Sequence, residues 1–143
     1  MSSFVLGATQ SEQITVSVIS YERPASGEFY DDNWLSCEVH VQAGAFKGKY
    51  SANFLTSELH GLHKDLERLY QDLKGSVVFE PMESQLELKF SCNNLGHVHV
   101  SGIAMDQAGV GHALHFTLSF DQSDLARSIN GLREIAHAFP VRT

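Results

Sequence analysis

Histidine is the residue type in this chain that is best placed to bind a metal ion. His97 and His99 lie two positions apart in a predicted strand, so their side chains face the same way, and His115 lies on the outer face of the next strand. If the two strands pair as a simple hairpin, the three imidazoles could lie close enough to share a Zn²⁺. Alternatively, they are exposed polar residues on a half-wet sheet, because no spacing known for structural zinc is present. We predict no metal ligands and no cofactor, and whether these histidines bind a metal stays open.

The groups that nucleophilic or phosphate chemistry requires are not arranged for it. No Gly-x-Ser-x-Gly motif is present, and Cys37 and Cys92 occupy inward-facing strand positions, where a thiol behaves as a small hydrophobic group. The Gly-rich run 108–111 lacks the Lys and the Ser or Thr of a phosphate loop and precedes a strand. Asp31 and Asp32 are adjacent in a loop and need not converge on one substrate. We therefore predict that the protein is not an enzyme.

An acidic and aromatic segment leads into the only tryptophan of the chain. Residues 22–33 form the longest irregular stretch, in which four acids oppose the single base Arg23, and Trp34 starts the strand that follows. Large aromatic side chains beside acids are typical of protein interfaces, and an acidic loop favours a basic partner. The predicted partner-binding residues are Glu22, Glu28, Phe29, Tyr30, Asp31, Asp32 and Trp34. Alternatively, Asp32 and Asn33 fix the turn while Trp34 closes the end of the core.

Length, composition and charge fit one globular domain. A chain of 143 residues with 43% hydrophobic residues can bury roughly two-thirds of its unfolded surface. The net charge of -7 argues against nucleic acid, whose binding needs a basic stripe, and either favours a basic partner or simply maintains solubility. The sequence shows neither a signal peptide nor the ~18 apolar residues of a membrane span. We predict a single domain over residues 1–143, located in the cytoplasm with reduced cysteines and away from membranes.

Two patterns of apolar residues predict the fold class. Alternating apolar residues predict strands within 14–18, 34–42, 46–54, 77–80, 85–92, 98–104 and 114–120. Apolar residues three and four apart predict two helices, with the stripes Leu59, Leu62, Leu66, Leu69 and Leu73, and Leu125, Ile129, Leu132, Ala136 and Phe139. Gly75 and Pro140 are predicted to close these helices. The prediction is α+β: a curved antiparallel sheet with both helices packed on one face, and a strand–strand–helix order that repeats.

Four short motifs, taken in order, resemble those of the WapI-type immunity proteins. They are Asp32-Asn33-Trp34-Leu35, Thr56-Ser57-Glu58-Leu59, Phe79-Glu80-Pro81 and Phe139-Pro140-Val141-Arg142, and the similarity spans residues 14–142. Proteins of this family are small bacterial proteins encoded beside polymorphic contact-dependent toxins. The resemblance implies no enzymatic activity, no cofactor and a cognate toxin as the partner. It supplies no set of toxin-contacting residues, and the histidine-rich strands are not part of its pattern.

Three functions can be separated by experiment. The preferred one is a non-catalytic immunity protein that neutralises a cognate, basic toxin by direct binding. The second is a small metal-dependent enzyme built on the histidine-rich strands, and the third is a protein-interaction domain unrelated to toxins. The sequence leaves the oligomeric state open.

Overall fold

Alternating apolar residues build eight antiparallel strands in the computed structural model, which describes residues 2–143. The strands form two sheets in sequential order. The first sheet contains β1 (Ser2–Thr9), β2 (Glu12–Tyr21), β3 (Trp34–Ala43) and β4 (Phe46–Leu55). The second contains β5 (Gly75–Phe79), β6 (Leu86–Cys92), β7 (His97–Met105) and β8 (Ala113–Asp121). The helices are α1 (Phe29–Asn33), α2 (Thr56–Asp72) and α3 (Leu125–Ala138), and a 3₁₀ turn, Gln122–Asp124, precedes α3.

A single hydrophobic core joins the two sheets to the two long helices. The inner face of each sheet and the apolar stripes of α2 and α3 belong to one cluster of buried side chains. Helix α3 packs on β1 and on α2, while α2 packs on β4 and β5. The sheets meet where β1 and β3 approach β8. The α+β class, the antiparallel pairing and the repeat of strands followed by a helix are confirmed, although the strands divide into two sheets where one was predicted.

Helix α2 follows the predicted leucine stripe for four of its five members. Leu59, Leu62, Leu66 and Leu69 are buried, but Leu73 is 47% exposed. The prediction for Leu73 was wrong because the helix ends at Asp72 and Leu73 takes a left-handed conformation with φ 59°, which turns its side chain out of the stripe. Its N–H still bonds the Leu69 carbonyl at 3.1 Å. Gly75, which was predicted to close the helix, begins β5 instead.

Strand β1 was not predicted, and α3 covers its free edge. The Ser128 hydroxyl donates to the Val5 carbonyl, and the Arg127 guanidinium donates to the Gly7 carbonyl. A Cβ atom at Gly131 would lie 2.7 Å from the Cα atom of Phe4, so this close approach requires glycine. These contacts satisfy edge carbonyls that would otherwise be free to pair with another chain.

No helix within residues 2–143 combines the length and the apolar character that crossing a membrane would require.

Candidate partner-binding site

Asp32 closes the acidic loop and allows a short helix to form within it. Its carboxylate accepts hydrogen bonds from the Ser26 N–H at 2.7 Å, the Ser26 hydroxyl at 2.8 Å and the Gly27 N–H at 2.9 Å. The bond from the Ser26 N–H is the largest cause that holds the pKa of Asp32 below its ordinary value. The residue is 6% exposed. The carboxylate of Asp32 therefore fixes the loop, as the alternative interpretation proposed, and its contact with a partner stays a prediction.

Asn33 connects helix α1 to two distant parts of the chain. Its side-chain oxygen accepts from the Thr56 hydroxyl at 2.6 Å and from the Arg142 N–H at 2.8 Å. Its amide nitrogen donates to the Phe29 carbonyl at 2.7 Å and to the Arg142 carbonyl at 2.9 Å. The side chain is fully buried and makes four hydrogen bonds, which is the bonding expected of a structural asparagine.

The C-terminal segment 139–142 holds the start of the same loop. The Arg142 guanidinium lies over the Tyr21 ring, with its carbon atom 3.5 Å from the ring centroid. It also donates to the Arg23 carbonyl at 3.2 Å. The Tyr21 hydroxyl donates to the Pro140 carbonyl at 2.5 Å, and the Phe139 ring packs edge-on against Tyr21 at 5.4 Å between centroids. Both ends of the loop are therefore fixed by the last residues of the chain.

The first turn of α2 joins this arrangement to the segment that follows β5. One carboxylate oxygen of Glu58 accepts from the Leu55 N–H at 2.8 Å, and the other accepts from the Met82 N–H at 2.6 Å. We call Asn33, Thr56, Glu58 and Arg142 the clasp. These residues come from three of the four motifs noticed in the sequence, and Met82 directly follows the remaining one. The motifs therefore converge in space to hold loops in place.

The clasp leaves an exposed acidic and aromatic surface on α1. Phe29 is 46% exposed and Tyr30 is 59% exposed, and their rings pack edge-on at 5.5 Å between centroids. The side chain of Asp31 is half-exposed and lies 3.9 Å from the Arg23 guanidinium. Glu22 and Glu28 are exposed, whereas Trp34 is partly buried at the start of β3. We call Glu22, Glu28, Phe29, Tyr30 and Asp31 the α1 surface.

The three histidines considered as metal ligands are separated by the register of β7 and β8. His115 pairs with Ile103, which lies four positions from His99 along β7, whereas His99 pairs with Ser119. Four strand positions correspond to roughly 13 Å. Within residues 2–143, no three His, Cys, Asp or Glu side chains are grouped as a metal site requires. The hypothesis that these histidines share one ion is wrong for this register.

The two cysteines lie in the core as predicted. Cys37 and Cys92 are buried and form no disulfide. Burial raises the pKa of the Cys37 thiol to about 12 and also raises that of Cys92. Both side chains therefore remain neutral thiols near pH 7, which is unsuited to nucleophilic chemistry.

An open cleft of about 690 Å³ lies on the outer face of the second sheet. Its polar lining includes Glu87, Lys89, Ser101, His115 and Thr117. Glu87 in β6 and His115 in β8 both pair with Ile103 in β7, from opposite sides. Strand β7 therefore lies between the Glu87 carboxylate and the His115 imidazole. Within the described residues no hydrogen bond links His115 to a Ser or Thr hydroxyl of this cleft, so the lining shows no nucleophile–base pair.

Comparison with known proteins places these features in context. The model of a family described as "Immunity protein WapI-like family" matches residues 5–140. A search of curated proteins finds no significant match. Among solved structures, the fold is similar to the "plant transcriptional regulator PBF-2", with a TM-score of 0.52 and 13% identity over 96% of this chain and 81% of that chain. It is also similar to "trypanosoma bruciei MRP1/MRP2", with a TM-score of 0.50 and 11% identity over 95% and 84%. At such identities, these likenesses concern the fold alone.

Proposed function

Because this chain belongs to the WapI-like immunity protein family, we propose that it neutralises a cognate toxin by binding it directly, without catalysis and without a cofactor. The observation that carries this proposal is the family match, which spans residues 5–140 and thus nearly the whole described fold. We further propose that the protein acts in the bacterial cytoplasm.

The α1 surface is the part of the molecule that we propose to contact the toxin. Phe29 and Tyr30 offer large rings at a low cost in conformational entropy, and aromatic side chains dominate the energetics of many interfaces. Glu22, Glu28 and Asp31 surround them with carboxylates, which suits a basic toxin. Toxins that act on nucleic acid generally carry a basic substrate groove, and an acidic loop with aromatic anchors could fill it in place of phosphate.

The clasp supports this proposal by holding α1 in place before a partner arrives. Loop ordering on association costs free energy, and a surface fixed in advance avoids part of that cost. Asn33 and Arg142 fix the two ends of the loop through hydrogen bonds to backbone groups, so they restrain its conformation without occupying its exposed face. Their role in binding is therefore one of positioning.

Co-expression tests the function. Cells that express the toxin encoded beside this gene should survive when the wild-type chain is present and die when it is absent, and the two proteins should copurify. Survival without any physical complex would contradict binding as the mechanism. Absence of both protection and binding would contradict the immunity function itself. A gene neighbourhood without a toxin gene would then favour an interaction domain unrelated to toxins.

Charge reversal tests the surface. Glu28→Lys with Asp31→Lys should leave stability nearly unchanged, because exposed acids contribute little to it. Association with the toxin should become slower and lose its salt dependence. The matched control is Glu12→Lys with Glu134→Lys, which alters net charge equally at exposed positions elsewhere. Equal association rates for the two double variants would show that the α1 surface does not contact the toxin.

A further inference from the structure

We infer that the toxin interface continues from the α1 surface across the first turn of α2 to the segment 78–83, and that this combined surface fits a basic face of a protein. The inference rests on the proposed function. A stable protein interface usually involves roughly 20–30 residues on each side. Residues 22–34 number too few to supply this, and Asp32 and Asn33 within them are buried. A specific complex therefore needs an adjoining surface.

Hydrogen bonds of the clasp connect segment 78–83 and helix α1 to the same end of α2. Asn33, the last residue of α1, accepts from Thr56 at the start of α2. Glu58, two residues further along α2, accepts from the Met82 N–H. The first turn of α2 is thus bonded to both segments at once, so they flank the same end of the helix in a fixed relation.

Segment 78–83, like the α1 surface, combines exposed apolar side chains with carboxylates. Val78 is 49% exposed and Met82 is 61% exposed, whereas Phe79 between them is buried. Glu80 is exposed and Glu83 is partly exposed. The sequence contains no Lys or Arg between Lys74 and Lys89. Exposed apolar side chains among unopposed carboxylates suit a partner with basic residues on long aliphatic stems.

Charge also indicates the direction in which the interface extends. Six or more positions along the β3–β4 pair from Trp34, the first sheet carries His40, Lys47 and Lys49 beside a cleft of about 650 Å³. Lys49 lies 3.8 Å from Glu38, so that face already pairs part of its charge internally. A basic partner would meet lysines there, whereas segment 78–83 presents carboxylates. The α2 side is therefore the favourable continuation.

A shallow groove of about 180 Å³ lies within the proposed surface, between α2 and β5. Leu62 and Val78 supply apolar lining, and Asp65 and Glu80 supply carboxylates. Asp65 lies 3.6 Å from Arg68, and the Glu58 carboxylate accepts from two backbone N–H groups. Among the described residues, Glu80 is therefore the lining carboxylate with neither an ion pair nor a hydrogen bond. Gly61 also lines the groove, and a Cβ atom there would have no neighbour within 4 Å. A side chain introduced at Gly61 would therefore enter open space.

Two pairs of variants test the inference with the toxin domain encoded beside this gene, purified in an inactive form. Glu80→Lys with Glu83→Lys should weaken its binding by about tenfold or more relative to Glu12→Lys with Glu134→Lys, which has the same net charge. Gly61→Leu should weaken binding relative to Gly61→Ala. Both Gly61 variants should unfold at or above the wild-type temperature, since glycine inside a helix is destabilising.

The results separate this inference from the proposed function. If the wild-type chain binds the toxin and both test variants bind as tightly as their controls, the interface does not extend over α2 and the inference is overturned while the immunity function stands. If the wild-type chain does not bind the toxin, the proposed function and the inference fall together. Weaker binding of both test variants than of their controls, with unfolding temperatures preserved, supports the inference.

Discussion

Replacing Asn33 with alanine is the most direct test of the clasp. The side chain is 0% exposed, and its removal leaves two donors, the Thr56 hydroxyl and the Arg142 N–H, without their acceptor. A buried donor left without a partner costs about 1–3 kcal/mol, so two such donors cost about 2–6 kcal/mol. Phe29 is exposed and Arg142 is partly exposed, so water can replace some of the lost bonds. We therefore expect Asn33→Ala to lower the free energy of unfolding by about 2–4 kcal/mol.

Urea unfolding of matched variants measures this loss. Asn53→Ala is the control, because among residues 2–143 its side-chain amide makes one hydrogen bond, to the Leu35 carbonyl at 3.2 Å. Loss of that bond should cost below about 1.5 kcal/mol. The double variant Asn33→Ala with Thr56→Val should cost less than the sum of the single changes, because the hydroxyl that needs Asn33 is gone. Two results together would contradict a stabilising role of Asn33 in the clasp. One is a loss of unfolding free energy in Asn33→Ala no larger than that in Asn53→Ala, and the other is strict additivity in the double variant.

Three further predictions concern stability and reactivity. Leu66→Ala or Phe116→Ala should each lower the free energy of unfolding by about 2–5 kcal/mol in urea titrations, since both side chains lie in the core, and a loss below 1 kcal/mol would contradict the packing. The pKa of Asp32 is lowered in the folded state, so its stabilising contribution should be present above pH 3.8 and be lost as pH falls through the folded pKa; Asp32→Asn should flatten this acid-side dependence in unfolding curves. Cys37 and Cys92 should react with a thiol reagent at neutral pH only at the rate of unfolding, and rapid labelling of the native protein would contradict their burial.

The elements that the sequence predicts well are those with strong local periodicity. The stripe Leu59, Leu62, Leu66 and Leu69 repeats every three or four positions, which only a helix places on one face. Periodicity does not show where a helix ends, so Leu73 was included although its backbone turns left-handed. Alternation likewise predicts a strand within 46–54 without showing where its burial ends: Phe46, at the tip of the hairpin, is 66% exposed.

Tertiary contacts set the features that the sequence could not supply. Strand β1 combines serines and a glycine with only a short apolar run, and it owes its place to pairing with β2 and to the cover of α3. The clasp joins Asn33 to Thr56 and to Arg142, which lie 23 and 109 positions away in the chain. No local pattern predicts such contacts. The one feature of the sequence that pointed to the clasp was the presence of polar side chains within short motifs that also contain buried apolar residues.

Titration of toxic activity against the amount of this protein tests the central claim most directly. A non-catalytic protein that neutralises its toxin by binding should abolish the activity at one molar equivalent, with a saturable complex of the same stoichiometry measured by calorimetry. Complete protection at a small fraction of an equivalent would indicate turnover and contradict a binding mechanism. Activity that persists in the presence of excess protein would contradict the immunity function.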